Sequence, residues 1–359
     1  MEIALCGLSR SGKSTLWSIL TGTQVVAGAR AETRKGICKV PDPRLDKLSA
    51  VFKPKKTTPA TVTYVDFPAV ERGTSGRSDN PVLTQLRTAE ALLCVLRVWD
   101  DPAEPNPEGS INPARDLSLL ETEFLLADLE VAQRRFERLD GIIKKTHRDE
   151  DKKEKELFAK LIPLLESEIP LRAAGLTIDE QKTLRGFAFL TAKPLLLAVN
   201  LSDDRIADLN KAATDFGLPD PATRPGTAFV ALSAKIEAEI TTLSTDDATA
   251  FRADLGIIEP ALDRLIHASY RLLGQISFFT VGDDECRAWT VPTHSSARSA
   301  GGAIHSDIER GFIRAEVVPW DKLLEAGSLH HAKEKAWLRL EGKEYVVQDG
   351  DVIHFRHSG

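Results

Sequence analysis

Residues 7–14 read Gly7-Leu8-Ser9-Arg10-Ser11-Gly12-Lys13-Ser14, an uninterrupted G-x-x-x-x-G-K-S string. Few backbones need such a string. Glycines at its first and sixth places let successive N–H groups turn inward around an anion. Lys13 is placed to reach β- and γ-phosphate oxygens, and the Ser14 hydroxyl to ligate Mg²⁺. The flanks agree with this reading. Ile3-Ala4-Leu5-Cys6 is a short apolar run that predicts a buried strand, and residues 14–20 open a helix whose N-terminus favours an anion.

Four more strand-like runs follow, at residues 61–65, 92–96, 195–199 and 228–232. Three end directly on a polar residue: Asp66, Asn200 and Ser233. Continuous apolar strands separated by helical segments predict a parallel sheet covered on both faces, an α/β architecture. Ligands of such sheets bind outside the carboxyl ends of the strands, where these polar residues and the phosphate loop converge.

The third and fourth of these five strands are separated by an insertion, residues 116–188. Leu125, Leu129, Ala132, Phe136, Leu139 and Ile143 form a heptad seam, and Phe158, Ile162, Leu165 and Ile169 repeat its 4, 3, 4 spacing. In the joining stretch, residues 144–156, eleven of thirteen side chains are charged, which predicts a solvated tip between two antiparallel helices. From about Ile276 the pattern changes to short β-rich runs (276–281, 288–291, 312–318, 338–340, 344–347 and 352–355), a separate small mixed domain.

A net charge of −6 and a pI near 5.8 leave no global basic field, so any nucleic-acid contact has to come from a local patch. From Gln275 onward, ten Lys or Arg face thirteen Asp or Glu. No DNA partner is expected. The scattered cysteines (Cys6, Cys38, Cys94 and Cys286) form no C-x-x-C pair and fit a reducing compartment. The N-terminus enters a strand without a basic-then-apolar leader, and no apolar run is long enough to span a bilayer. Together these predict a cytoplasmic protein with no membrane partner. Six of the eight histidines lie in the last domain, none with metal-ligand spacing to a third ligand.

A nucleotide hydrolase needs more than the phosphate loop. Asp66, at a strand end, is placed to hold Mg²⁺ with Ser14. Asn200-Leu201-Ser202-Asp203 stands where a base-reading Asn-x-x-acid motif belongs, and Ser233-Ala234-Lys235 where main-chain amides back up the base. Each fragment alone is weak, because Asn and Asp at strand ends are ordinary turn residues. Their order, each after an apolar strand, is specific.

These fragments, with residues 40–48 (Val-Pro-Asp-Pro-Arg-Leu-Asp-Lys-Leu), 126–130, 233–239, 278–282, 287–290, 311–316 and 349–355, carry a resemblance to the Obg-like ATPases, the YchF branch of the Obg group of translation-factor-related P-loop NTPases. The resemblance covers nearly the whole chain. It implies a G-domain over residues 1–115 and 189–274, the helical hairpin over 116–188, and a C-terminal α+β β-grasp TGS domain over 275–359. It also implies ATP hydrolysis with Mg²⁺, ribosome or RNA association through the hairpin and TGS domain, and a cytoplasmic location. The nucleotide site is then Ser9, Arg10, Ser11, Gly12, Lys13, Ser14 and Thr15, with Asn200, Leu201 and Asp203, and with Ser233, Ala234 and Lys235.

The sequence departs from that family at several of these places. Ser9-Arg10-Ser11 replaces Pro-Asn-Val. Arg10 is then either a charge supplied in cis to the phosphates or a solvated arginine. Asp66-Phe67-Pro68-Ala69 replaces Asp-x-x-Gly, and Ala69 restricts a peptide that normally turns toward the γ-phosphate. Asn106 stands at the family's catalytic histidine; it can hydrogen-bond a water but cannot take its proton. Arg30 replaces a magnesium-binding threonine, with Thr33 close by. Leu201 in place of lysine favours ATP, whereas Asp203 in place of glutamate favours GTP. Lys13, Arg10 and Asn106 are the candidate catalytic residues. The binding half reads as intact and the hydrolytic half as degraded, leaving a slow ATPase, a nucleotide-dependent binding module and a GTPase as the three readings.

Overall fold

A computed structural model of the protein describes residues 1–23, 32–71, 73 and 80–358. The strands in chain order are β1 (Glu2–Cys6), β2 (Arg34–Lys39), β3 (Lys56–Thr58), β4 (Thr61–Asp66), β5 (Ala91–Val98), β6 (Leu195–Leu201), β7 (Thr227–Leu232), β8 (Gln275–Thr280), β9 (Glu285–Pro292), β10 (Phe312–Pro319), β11 (Arg339–Glu341) and β12 (Asp351–His357). The first helices are α1 (Lys13–Thr21), α2 (Pro43–Phe52), α3 (Pro81–Leu86), α4 (Pro113–Thr146) and α5 (Asp149–Glu166). The chain forms two compact units. One comprises Met1–Cys38 with Thr63–Ala268, the other Lys39–Val62 with Ser269–Gly359.

The first unit is built on a six-stranded sheet of order β2-β4-β1-β5-β6-β7. The pairs β1–β4, β1–β5, β5–β6 and β6–β7 are parallel. Every residue of β5 and of β6 is buried, which is why both strands read as unbroken apolar runs rather than as alternation. β1, β4, β6 and β7 end at the phosphate loop, Asp66, Leu201 and Leu232, so the candidate site lies along one edge, as expected for this topology.

The inserted helices also form. Asn112 caps α4 by accepting from the Arg115 N–H, Pro113 occupies its first turn, and Lys144 and Lys145 lie in its last turn, where cations are favoured. Leu125, Ala132 and Leu139 of α4 bury against Leu157, Phe158, Leu161 and Leu165 of α5, so the heptad seam is the packing seam. The expected solvated linker at 144–156 is mostly helix. Only His147 and Arg148 lie between α4 and α5, and His147 takes the left-handed conformation that ends α4 (φ 52°). Cross-helix ion pairs Arg135–Glu154 and Lys155–Asp140 explain why a charged stretch stays helical. At the base of the hairpin, the fully buried Asp128 accepts from Arg87, from the backbone N–H groups of Leu190 and Thr191, and from the Thr191 hydroxyl. Four donors offset the cost of burying that carboxylate.

The second unit holds a mixed six-stranded sheet of order β11-β10-β12-β8-β9-β3. β3, contributed by the early segment 39–62, pairs parallel with β9 through Lys56↔Glu285, Thr57↔Cys286 and Thr58↔Arg287. The core gathers Phe278, Val291, Ala315, Val317, Ile353 and Phe355. Arg44 of α2 bonds both Asp42 and Asp349, tying the early segment to the turn before β12. Five of the six predicted C-terminal strands form. Residues 344–347 do not; they make a single bridge, Ser296↔Val346. There the Ala297 N–H donates to the Tyr345 carbonyl and the Val347 N–H to the Ser295 carbonyl, so the segment pairs with a turn rather than with a strand.

Candidate nucleotide site

The loop between β1 and α1 requires both of its glycines. Gly7 has φ 155°, and a Cβ there would meet the Val95 carbonyl oxygen at 2.7 Å. Gly12 has φ 91°, and a Cβ there would sit 2.3 Å from Asn200 Nδ2. Arg10 is also left-handed, at φ 59°. These positive φ values turn the loop back on itself, as a row of inward N–H groups demands.

Lys13 is buried and its Nζ donates to the Gly7 and Leu8 carbonyls at 3.4 and 3.3 Å. Burial lowers its pKa, with Asp66 opposing the shift. The Ser14 hydroxyl donates to Asp66 Oδ2 at 2.8 Å. Burial raises the Asp66 pKa, countered by Ser14, Lys13 and Arg34. Asp66 Oδ1, Ser11 Oγ and Trp99 Nε1 are buried without a hydrogen-bond partner, three of seven such side-chain atoms among the described residues. Three orphans around one loop mark a place shaped for polar groups outside the chain. A hydroxyl beside a carboxylate oxygen with no partner is a hard-oxygen donor set that fits Mg²⁺.

Asn200, at the end of β6, brackets the site. Its Nδ2 donates to the Ser11 carbonyl at 3.2 Å and its Oδ1 accepts from the Ala234 N–H at 2.9 Å. Both amide groups are engaged by the chain, so Asn200 and the Ala234 N–H hold the two loops together. Leu201 was expected beside the base; it is buried in the hydrophobic core of the sheet. Alternation along β6 turns neighbouring side chains to opposite faces, so Asn200 at the site commits Leu201 to the core. Asp203 and Lys235 form an exposed ion pair that lowers the Asp203 pKa through the Lys235 hydrogen bond. Ser233 is buried and caps the following helix through the Ile236 N–H; Thr15 and Ser9 are exposed.

Beside the phosphate loop lies a cavity of about 240 Å³, bordered by Ser9, Ser11, Ala69 and Val70 on one side and Asn106 and Glu108 on another. The Val70 N–H donates to the Gly7 carbonyl at 3.2 Å. Asn106 lines this cavity, and its Oδ1 accepts from the Glu108 N–H at 2.9 Å and closes a turn. Arg10 reaches the Pro105 carbonyl at 3.2 Å. Thr33 donates to Gln85 at 2.8 Å, while Arg30 lies outside the described residues. Arg97 and Asp116 escaped the sequence reading, although both are buried at the cavity. The available signal was a lone arginine within the buried run of β5. Away from the site, donor atoms of His330, His331 and Glu334 lie within 4.8 Å of one another, a grouping the spacing did not predict. All three are exposed, and Lys333 and Lys335 nearby disfavour a cation there.

A parallel sheet whose first turn is this loop, with Lys13 inside it, a Ser14–Asp66 pair and an asparagine bracket, defines a P-loop NTPase of the G-domain type. Over residues 275–358 the chain matches the family model YchF-GTPase_C, described as a protein of unknown function (DUF933). It is 38% identical to the "Ribosome-binding ATPase YchF" of Bacillus subtilis (strain 168), covering 100% of this chain and 99% of that one. It is 36% identical to the protein of that name from Escherichia coli O157:H7, covering 99% and 98%. The solved structure of the Schizosaccharomyces pombe YchF GTPase superposes with a TM-score of 0.84 at 26% identity, covering 99% and 97%. The chain belongs to the YchF family. No described helix is long and apolar enough to cross a membrane.

Proposed function

We propose that this protein is a slow, Mg²⁺-dependent purine nucleoside triphosphatase that prefers ATP and acts as a nucleotide-regulated, ribosome-associated factor in the cytoplasm. The observation that carries the reading is the loop with its orphaned Ser11 Oγ and Asp66 Oδ1 around a buried Lys13. The inward amides and Lys13 hold the β- and γ-phosphates, and Ser14 and Asp66 hold the metal. Bound Mg²⁺ supplies charge neutralisation for the departing phosphate. The bacterial relatives are called ribosome-binding ATPases, which supports both the nucleotide and the partner. Partner contact is assigned to the hairpin at 116–188 and to a β-grasp TGS domain at 275–359, with the nucleotide domain over 1–115 and 189–274.

A second reading is favoured by one observation. Asn106 Oδ1 is spent on the Glu108 N–H, and asparagine cannot accept a proton near neutral pH. On this reading the chain binds nucleotide to control ribosome or RNA binding and hardly turns it over. A third, a GTPase, rests on Asp203. Single-turnover assays with ATP and GTP, beside calorimetric dissociation constants, separate them. The first expects tighter ATP than GTP binding and a rate above buffer. ATP binding with no rate above buffer selects the second, and tighter GTP binding with turnover the third. Binding of neither at millimolar concentration overturns all three.

A further inference from the structure

Three arginines grip the segment 99–110 that walls the phosphate cavity. Arg97, only 2% exposed, places each of its three guanidinium nitrogens on a carbonyl: Nε on Trp99 at 2.9 Å, Nη2 on Glu104 at 2.6 Å, and Nη1 on Arg10 of the phosphate loop at 3.5 Å. Its Cζ also lies over the Trp99 ring, 3.5 Å from the centroid. Arg115 holds the far end of the segment through the Glu108 and Ser110 carbonyls at 3.0 and 2.7 Å. Arg10 holds the middle through Pro105, the residue before Asn106. Five carbonyls of one surface segment thus rest on charged donors, the stronger class of hydrogen bond.

The geometry points to Arg10 as a positioning residue. From within the phosphate loop it clamps the 99–110 segment, so that Asn106 and Glu108 stay against the phosphate cavity. This rests on the nucleotide reading of the site and adds to it a specific role for Arg10. Of the three arginines, Arg10 is the exposed one and lies on the loop that nucleotide touches, while Arg97 is a fixed buried brace. The contact is a carbonyl, so the clamp needs a long cationic donor but not an arginine in particular. Lysine at the same place supplies a single cationic ammonium that can donate to the carbonyl and should retain most of the function. A charge acting directly on phosphate would instead leave the segment unaffected when removed.

The test is hydrogen–deuterium exchange of full-length wild type, Arg10→Ala and Arg10→Lys, each with and without Mg-ATP, beside single-turnover rates and ATP dissociation constants. Because Arg10 is exposed, Arg10→Ala is expected to fold. Its expected result is faster exchange at residues 103–109, where the Glu108 and Gly109 amides are held by Asn106. The hydrolysis rate is expected to fall about tenfold, with ATP affinity within about threefold, the split of a misplaced catalytic element rather than of lost binding. Arg10→Lys is expected to restore both exchange and rate. Unchanged exchange in Arg10→Ala overturns the clamp, including where the rate falls, since that result places the guanidinium on phosphate itself. Faster exchange with an unchanged rate overturns its part in hydrolysis. A wild type that binds ATP without turnover removes the hydrolase reading, and the exchange data then decide the clamp alone.

Discussion

The two ends of the candidate site are built differently. At the phosphate end, around a buried Lys13, Ser11 Oγ and Asp66 Oδ1 have no hydrogen-bond partner in the protein. At the base end the same kinds of group are already matched. Asn200 is committed to Ser11 and Ala234, Leu201 to the core, and Asp203 to Lys235. Unsatisfied buried polar atoms are costly to a folded chain and mark where a ligand returns free energy. Paired, exposed atoms return little. Binding energy is therefore expected to come chiefly from the polyphosphate, with modest discrimination between purines.

This contrast sets an order of effects. The largest is expected from Gly12→Ala, because the new methyl group collides with Asn200 Nδ2 and the residue is held at φ 91°. The bracket between the two loops would open, and both stability (by about 2–4 kcal/mol in thermal or denaturant unfolding) and triphosphate binding should fall. Next comes Lys13→Ala, which removes the counter-charge. Affinity for ATP and GTP alike should drop about a hundredfold, roughly 3 kcal/mol, by calorimetry. Equal losses for both nucleotides are the mark of a phosphate-end residue; unequal losses would end the contrast.

The pH dependence probes the metal side of the same end. Burial raises the Asp66 pKa, so in the free protein this group favours folding below the ordinary carboxylate range, and that contribution is lost as pH rises through the raised value. Metal binding needs the ionised form and therefore runs the other way. Mg²⁺-dependent nucleotide affinity should weaken on acidification from a pH above that of an ordinary aspartate. In Asp66→Asn that acid limb should disappear together with most of the Mg²⁺ dependence, read from titrations at several pH values. The smallest effect is expected at the base end. Lys235→Ala releases the Asp203 carboxylate and should raise GTP affinity relative to ATP, within about threefold. A larger change in the ATP/GTP ratio would show that purine choice is decided at this ion pair.

Much of the first unit is legible in the sequence. β5 and β6 announce themselves as unbroken apolar runs because both of their faces are covered, and the phosphate loop because two of its backbone positions admit only glycine. The hairpin seam was legible because 4, 3 spacing leaves few other packings. The charged run at 144–156 reads as a solvated tip by its charge density alone, whereas cross-helix partners such as Glu154 keep it helical. Residues 344–347 misled because a β-prone stretch found a turn, not a strand, as its neighbour.

What local pattern dictates here is the kind of elements, their order, and the loop that closes on phosphate. These follow from nearest-neighbour sterics and from which faces must leave water, and both are written along the chain. Partnership is another matter. That Asn200 joins the phosphate loop to the Ala234 amide while Leu201 turns inward, and that Arg10 reaches from the phosphate loop to Pro105, depend on groups tens of residues apart. Hydrogen bonds are short and directional, so who satisfies whom is settled when the packed elements bring donors and acceptors within about 3 Å.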